Sequence, residues 1–262
     1  MSLDLPPNAG TEREQAIRDL VCNGQAEFSW TTITSTHGDH TAEFQVFADA
    51  LKIEGVRVCM SAETEQVIAD MLGCSLLTAK LADLIWLQRQ VTLKPFPHGN
   101  PKTMHDTAAM LKHSAKIDMA LELQGNPGGL ISTTGKHWIL DNSIADGRLI
   151  DGAPVACNYG WPFEGPSFEG IGGEVLATQA KNDKGQFLRL IQGRGTRHNM
   201  KHSDYSQICV LVYLDCIVDG QPMKLQDVLQ DPELAPLASH QGILKTLRQP
   251  GVPEQGITVT PE

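Results

Sequence analysis

The segment from Gly193 to Val218, GRGTRHNMKHSDYSQICVLVYLDCIV, limits the fold more than any other. A polar stretch holding His198, His202, Asp204, Tyr205 and Ser206 runs directly into a long apolar stretch. The apolar part reads as a buried strand, in which a continuous apolar run replaces alternation. The polar part then sits at the mouth of that strand, a common place for binding and catalytic groups.

The other elements segregate along the chain. Thr11 to Glu14 has the capping-box pattern and predicts a short helix to about Val21. Glu27 to Ser35 and Thr41 to Phe47, joined at His37-Gly38-Asp39, predict a β-hairpin. Val56 to Met60 reads as a strand. Ser61 caps a helix carrying Val67, Ile68, Met71 and Leu72, closed by Gly73. Ser75 to Gln88 reads as a second helix, and Val91 to Phe96 as extended. Thr103 and Asp106 predict a long helix to about Leu123, stopped by the loop from Gly125 to Gly129. Strands dominate beyond it: Leu130 to Thr133, His137 to Leu140, Ala153 to Tyr159, Phe187 to Gln192 and Ser206 to Val218. Asp219-Gly220 predicts a hairpin turn, Pro222 an edge strand, and Leu225 to Leu229 a short helix. The expected fold is α+β, with a helix-rich N-terminal half packed on a mainly antiparallel C-terminal sheet. One domain is expected over residues 1–262. Its helical lobe covers about 1–124, its sheet-rich lobe about 125–249, and a loose tail the remainder.

Composition narrows the partners. A chain of 262 residues with 41% apolar and 20% charged residues can bury a sizeable core. Runs such as Ile208 to Leu214 are too short for a bilayer, so no membrane span is expected. A formal charge of −10 disfavours nucleic acid and anionic membranes. The stretch MSLDLPPNAG has neither a basic n-region nor an apolar h-region, so no signal peptide is read and a cytoplasmic location is expected. The six cysteines form no CxxC pair and mostly lie in apolar runs, which predicts buried free thiols.

Two chemistries fit the polar loop. In the first, His198, His202 and Asp204 ligate zinc or another divalent metal and leave a position open for an attacking water. In the second, no metal is needed. Asp204 orients His202 or His198, which activates Ser206 or a water. The spacing matches no established metal motif, and a polar loop with surface histidines is the plain alternative. Tyr159-Gly160-Trp161-Pro162 and the Gly-rich stretch from Glu164 to Glu174 could line a pocket, with Tyr159, Trp161 and Tyr205 contacting substrate. His137 is a candidate third histidine for the loop. Ser206-Gln207-Ile208-Cys209-Val210 faintly resembles the S-x-G-C-[IV]-R element of L,D-transpeptidases. Ile208 stands there for the glycine and Leu211 for the arginine, and Cys209 itself reads as core.

Four blocks stand in order along the chain: Ala69-Asp70-Met71-Leu72-Gly73 through Asp83-Leu84-Ile85-Trp86, then Gly135-Lys136-His137-Trp138-Ile139-Leu140, then Tyr159-Gly160-Trp161-Pro162, then His198 through Val212. The chain thereby resembles a bacterial protein family with blocks like ADxLGxxLxTxxxDxIW, GHKKDVV, YGWH and HxxxHxDYSHG[IV]RLV. That family carries no established activity, so the resemblance implies no mechanism, but it points to the same loop. Pro162 and Gln207 stand here for histidines, Ile208 for a glycine and Val210 for an arginine.

The leading expectation is a hydrolase with His198, His202, Asp204 and Ser206 at its site, acting on peptide or cell-wall-type substrates. A divalent metal such as zinc is the one cofactor considered, and a small or peptide-like molecule the expected ligand. The alternatives are a non-catalytic peptide- or glycan-binding protein and a structural or assembly component. Oligomeric state is not readable from the chain.

Overall fold

A computed structural model describes residues 3–132, 134–165, 174–175, 181 and 185–258. Its centre is one ten-stranded sheet. Along the sheet the order is Glu174–Val175, Arg189–Asn199, Ala153–Phe163, Lys136–Leu140, Cys74–Thr78, Leu211–Val218, His40–Phe47 and Trp30–His37. Leu149–Ile150 adds to Ala153–Phe163, and Gln221–Lys224 to Leu211–Val218. All pairings in this sheet are antiparallel except Cys74–Thr78 with Lys136–Leu140. That parallel pair needs a crossover, and the intervening chain supplies it with two helices.

The helices are α1 (Thr11–Cys22), α2 (Ala62–Met71), α3 (Ala79–Leu87), α4 (Thr107–Leu123), α5 (Leu225–Gln230) and α6 (Ala235–Ala238). They are scattered along the chain, so the expectation of a helix-rich N-terminal half on a C-terminal sheet does not hold. The early hairpin Trp30–His37/His40–Phe47 belongs to the same sheet as the late strands. The coarser expectation, a mixed fold with mostly antiparallel pairing, does hold. No helix among the described residues is long and apolar enough to cross a membrane.

Local chemistry explains several boundaries. The hairpin closes with His37 paired to His40, and Gly38 takes the positive φ of 57° that the tight turn needs. On His40–Phe47, Ala42, Phe44 and Val46 are buried while the residues between them face solvent, as one covered face requires. Cys74–Thr78 corrects the helix expected from Ser75. All five of its residues are buried, and helix α3 begins only after Thr78, whose side chain accepts from the Leu81 N–H at 3.1 Å. Helix α1 is capped by Gly10 rather than by Thr11, and α4 by Asp106 without a side-chain cap bond. Thr103 instead pairs with His98.

The main core is continuous, with Trp86, Trp138, Phe44 and Phe47 among its largest fully buried side chains. Buried charges tie the outer elements to it. The guanidinium of Arg57, fully buried, grips Asp49 at 2.6 Å and Asp118 of α4 at 2.5 Å. Glu14 of α1 accepts from both the N–H and the hydroxyl of Ser61, fixing the start of α2 against α1. The Gly-rich stretch after Glu164 lies mostly outside the described residues.

Candidate functional site

The polar segment splits in two. His198 belongs to the strand Arg189–Asn199, opposite Ala156 of Ala153–Phe163, and not to a loop. Residues 200–210 then leave the strand, and Gln207 bridges to Lys136 and Ile208 to Cys59 before Leu211–Val218 begins. This turn is held from several sides. Met200 N–H bonds to the Pro154 carbonyl, Glu63 N–H to the Met200 carbonyl, Tyr205 N–H to the Met104 carbonyl and Lys136 N–H to the Ser206 carbonyl, all at 2.7–3.0 Å. The last contact needs Gly135, because a Cβ there would lie 2.5 Å from the Ser206 carbonyl oxygen.

Asp204 is the hub of the turn and is 1% exposed. Its Oδ1 accepts from Ser206 twice, from the N–H at 2.8 Å and the hydroxyl at 2.6 Å. Its Oδ2 accepts from Lys136 Nζ at 3.0 Å and lies 3.7 Å from His202 Nε2. The second contact is too long for a hydrogen bond. Burial opposes the ionised carboxyl, but His202, Lys136 and the two Ser206 donors outweigh it and hold the group below its ordinary value.

The imidazoles of His198 and His202 stack with centroids 3.7 Å apart and planes at 11°. Burial, then His202 and Lys136, push His198 down to about 4, so it is neutral at physiological pH. His105 presents an edge to His202 at 5.2 Å and donates from Nδ1 to the Ser203 carbonyl at 2.8 Å. Arg13 of α1, 1% exposed, reaches the same point and donates to the His105 carbonyl at 2.9 Å and the Ser203 hydroxyl at 3.1 Å.

The structure brings His198, His202, Asp204 and Ser206 together. Ser206 donates its proton to Asp204, which makes it a positioning group for the carboxylate rather than a nucleophile facing a histidine. Among the described residues no group of three or more His, Cys, Asp or Glu is arranged to hold a metal ion. Parallel stacked rings aim their nitrogen lone pairs along separate planes, and Asp204 is already engaged with Lys136 and Ser206. Lys136, Arg13 and His105 were not anticipated. Only Lys136 carried a signal, as the basic residue beside Gly135 in the second of the four blocks.

The aromatic candidates are buried and divided. Trp161, at a positive φ of 60° in an irregular stretch of its strand, packs with Tyr205 at 6.1 Å and His113 at 5.8 Å. The Tyr205 hydroxyl accepts from the His98 N–H at 2.6 Å. Tyr159 faces the other side of the sheet and donates to Asp83 of α3 at 2.6 Å. His137, expected near the His198 loop, is the register partner of Tyr159 and shares that other face. Burial pushes it down to about 4. Cys209 is fully buried, and burial raises its thiol well above the ordinary value, as its reading as core implied.

Comparison with known proteins finds no match among family models, curated proteins or solved structures.

Proposed function

We propose that the chain is a hydrolase in which His202 activates a water molecule for attack on a peptide-type carbonyl. The observation that carries this reading is the buried Asp204 carboxylate set 3.7 Å from His202 Nε2 and fixed there by Lys136 and Ser206. A carboxylate in that position stabilises the imidazolium that forms when His202 takes a proton. Lys136 and Ser206 keep it from turning away. His198, neutral and stacked on His202, is the second imidazole at the site and can hydrogen-bond the substrate or its leaving group. Arg13 and His105 hold Ser203, which fixes the backbone on which His202 and Asp204 stand. A reading as an aromatic ligand platform draws less support, because Trp161 and Tyr205 are buried against each other.

The test is hydrolysis of purified peptidoglycan stem peptides and of unrelated oligopeptides, followed by mass spectrometry. Cleavage by the wild type that is lost in His202→Ala and reduced at least about a hundredfold in Asp204→Asn supports the reading. Elemental analysis of the same samples separates the two chemistries. Near-stoichiometric metal that disappears in His202→Ala would transfer the role of activating water to a metal ion. Cleavage that survives His202→Ala would overturn the assignment.

A further inference from the structure

A second imidazole–carboxylate pair lies on the opposite face of the sheet. Along Lys136–Leu140, Lys136 and Trp138 face the His202 side, and His137 faces α3 together with its register partner Tyr159. On that face Asp83 of α3 is 1% exposed, and both of its oxygens are engaged. Oδ1 accepts from the Tyr159 hydroxyl at 2.6 Å, and Oδ2 lies 3.0 Å from His240 Nε2. The contacts join residues 76 and 157 positions apart, so they are set by the tertiary fold.

The pair differs from an ordinary surface contact. In His40–Asp219, 2.7 Å apart, the side chains are 36% and 43% exposed. In His240–Asp83 the carboxylate side chain is 1% exposed and the imidazole 22%. The segment bearing His240 is also pinned. The Ala238 carbonyl accepts from Thr78 Oγ1 at 2.5 Å, and Lys80 Nζ donates to the Pro236 carbonyl. Gln241 N–H bonds to Ser239 Oγ at 3.0 Å, and Gln241 Oε1 accepts from the Asn142 N–H at 3.0 Å. The ring is thus fixed through its backbone and through Nε2.

A carboxylate at Nε2 places the ring proton there and leaves the lone pair on Nδ1. Nδ1 makes no hydrogen bond among the described residues. Behind the carboxylate, the cavity lined by Asp83, Trp86, Ser132, Thr134, His137 and Tyr159 measures about 10 Å³, room for about one water. It is too small for a substrate, which leaves Nδ1, the ring nitrogen not engaged by Asp83 on a side chain 22% exposed, as the atom open to chemistry. No acid is bonded there to protonate a departing group. That suits only a leaving group able to depart as an anion.

We propose that His240 and Asp83 form a second, nucleophilic site that accepts the acyl group of an activated aryl or thio ester on His240 Nδ1. The Nδ1 lone pair attacks the acyl carbon, the bond from that carbon to the leaving oxygen or sulfur breaks, and the electron pair departs with the leaving group. The acyl-imidazole cation is stabilised by Asp83 through the retained Nε2–H. Water then adds to the acyl carbon and the carbon–nitrogen bond breaks, returning neutral His240. The net change is ester plus water to carboxylate, two protons, and the free phenolate or thiolate. The site is independent of the one around His202.

The test uses p-nitrophenyl acetate with the full-length chain at neutral pH, following p-nitrophenolate release. Acid-quenched samples are searched for an acetyl group on the peptide containing His240. The expected result is a fall of at least about tenfold in His240→Gln and in Asp83→Asn, with His40→Gln unchanged. The acetyl adduct should appear in the wild type and disappear in His240→Gln. His240 is at the surface, so His240→Gln is expected to fold, and its melting curve checks this. Release in His240→Gln within twofold of wild type overturns the proposal. So does an equal loss in His40→Gln, or a loss in His202→Ala with His240→Gln unaffected.

Discussion

Asp204→Asn isolates the electrostatics of the turn. The substitution keeps the shape of the side chain and removes its charge. Lys136, whose side chain is 11% exposed, then loses its one ion-pair partner among the described residues while remaining buried. Removing one member of a buried pair costs about 3–5 kcal/mol, because the other charge is left uncompensated. The residual exposure of Lys136 places the expected value near the low end, about 3 kcal/mol. Urea denaturation at pH 7 should therefore show a lower midpoint with an unchanged slope. The sign with pH follows from the depressed carboxyl. Its folded value lies below the unfolded one, so its stabilisation is complete above the unfolded value and is lost as pH falls toward the folded one. The gap between wild type and Asp204→Asn should then shrink on acidification below about pH 4. Asp204→Asn with Lys136→Met should recover much of the loss, since no buried charge remains. A cost below about 1 kcal/mol at pH 7, or a gap indifferent to acid, would refute the electrostatic account of the turn.

Three further outcomes follow from buried groups elsewhere. Glu65 of α2 is 0% exposed and neither carboxyl oxygen has a hydrogen-bond partner among the described residues. Burial raises its carboxyl well above the ordinary value, so its contribution to stability is lost as pH rises past the unfolded value. Glu65→Gln should make stability less dependent on alkaline pH, and Glu65→Leu should add about 1–3 kcal/mol at pH 8 in chemical denaturation. Arg57→Ala leaves Asp49 paired with Lys52 alone and releases Asp118, and should lower stability by about 3–5 kcal/mol in the same assay. Gly135→Ala brings a Cβ to 2.5 Å from the Ser206 carbonyl; it should cost about 1–3 kcal/mol and reduce any activity that depends on Asp204, as comparison with a distant variant of equal stability would show.

The sequence revealed the parts of the fold that have a solvent face. The hairpin Trp30–Phe47 was legible because one side of each strand is exposed and alternation survives. Cys74–Thr78 was not, because a central strand buried on both sides shows a plain apolar run that merges with the helix behind it. Arg189–Asn199 was read only in part, since its glycines and arginines carry no strand pattern at the end where His198 sits. The site followed the same rule. His202, Asp204 and Ser206 were found together because one turn supplies them. Lys136 and Arg13 arrive from distant segments, and nothing in the spacing of either announces its partner.

Lys136 and His137 show how much depends on strand alternation rather than on proximity along the chain. They are neighbours in sequence and point to opposite faces. Lys136 fixes the Asp204 carboxylate beneath the sheet, and His137 borders the cavity behind the Asp83 carboxylate on the other side. Each carboxylate is buried, held by a hydroxyl at 2.6 Å and placed against a partly exposed imidazole. The same physical requirement accounts for both arrangements, because a buried carboxylate must have its oxygens satisfied, and a hydroxyl does so without adding charge. The partners then set the difference. Asp204 also has a lysine, so its charge is balanced before His202 takes a proton. Among the described residues Asp83 meets Tyr159 and His240 and no lysine or arginine. The two proposals differ accordingly: the cationic acyl-imidazole would form against the carboxylate held by a phenol, and the proton from water would go to the imidazole beside the carboxylate held by a lysine.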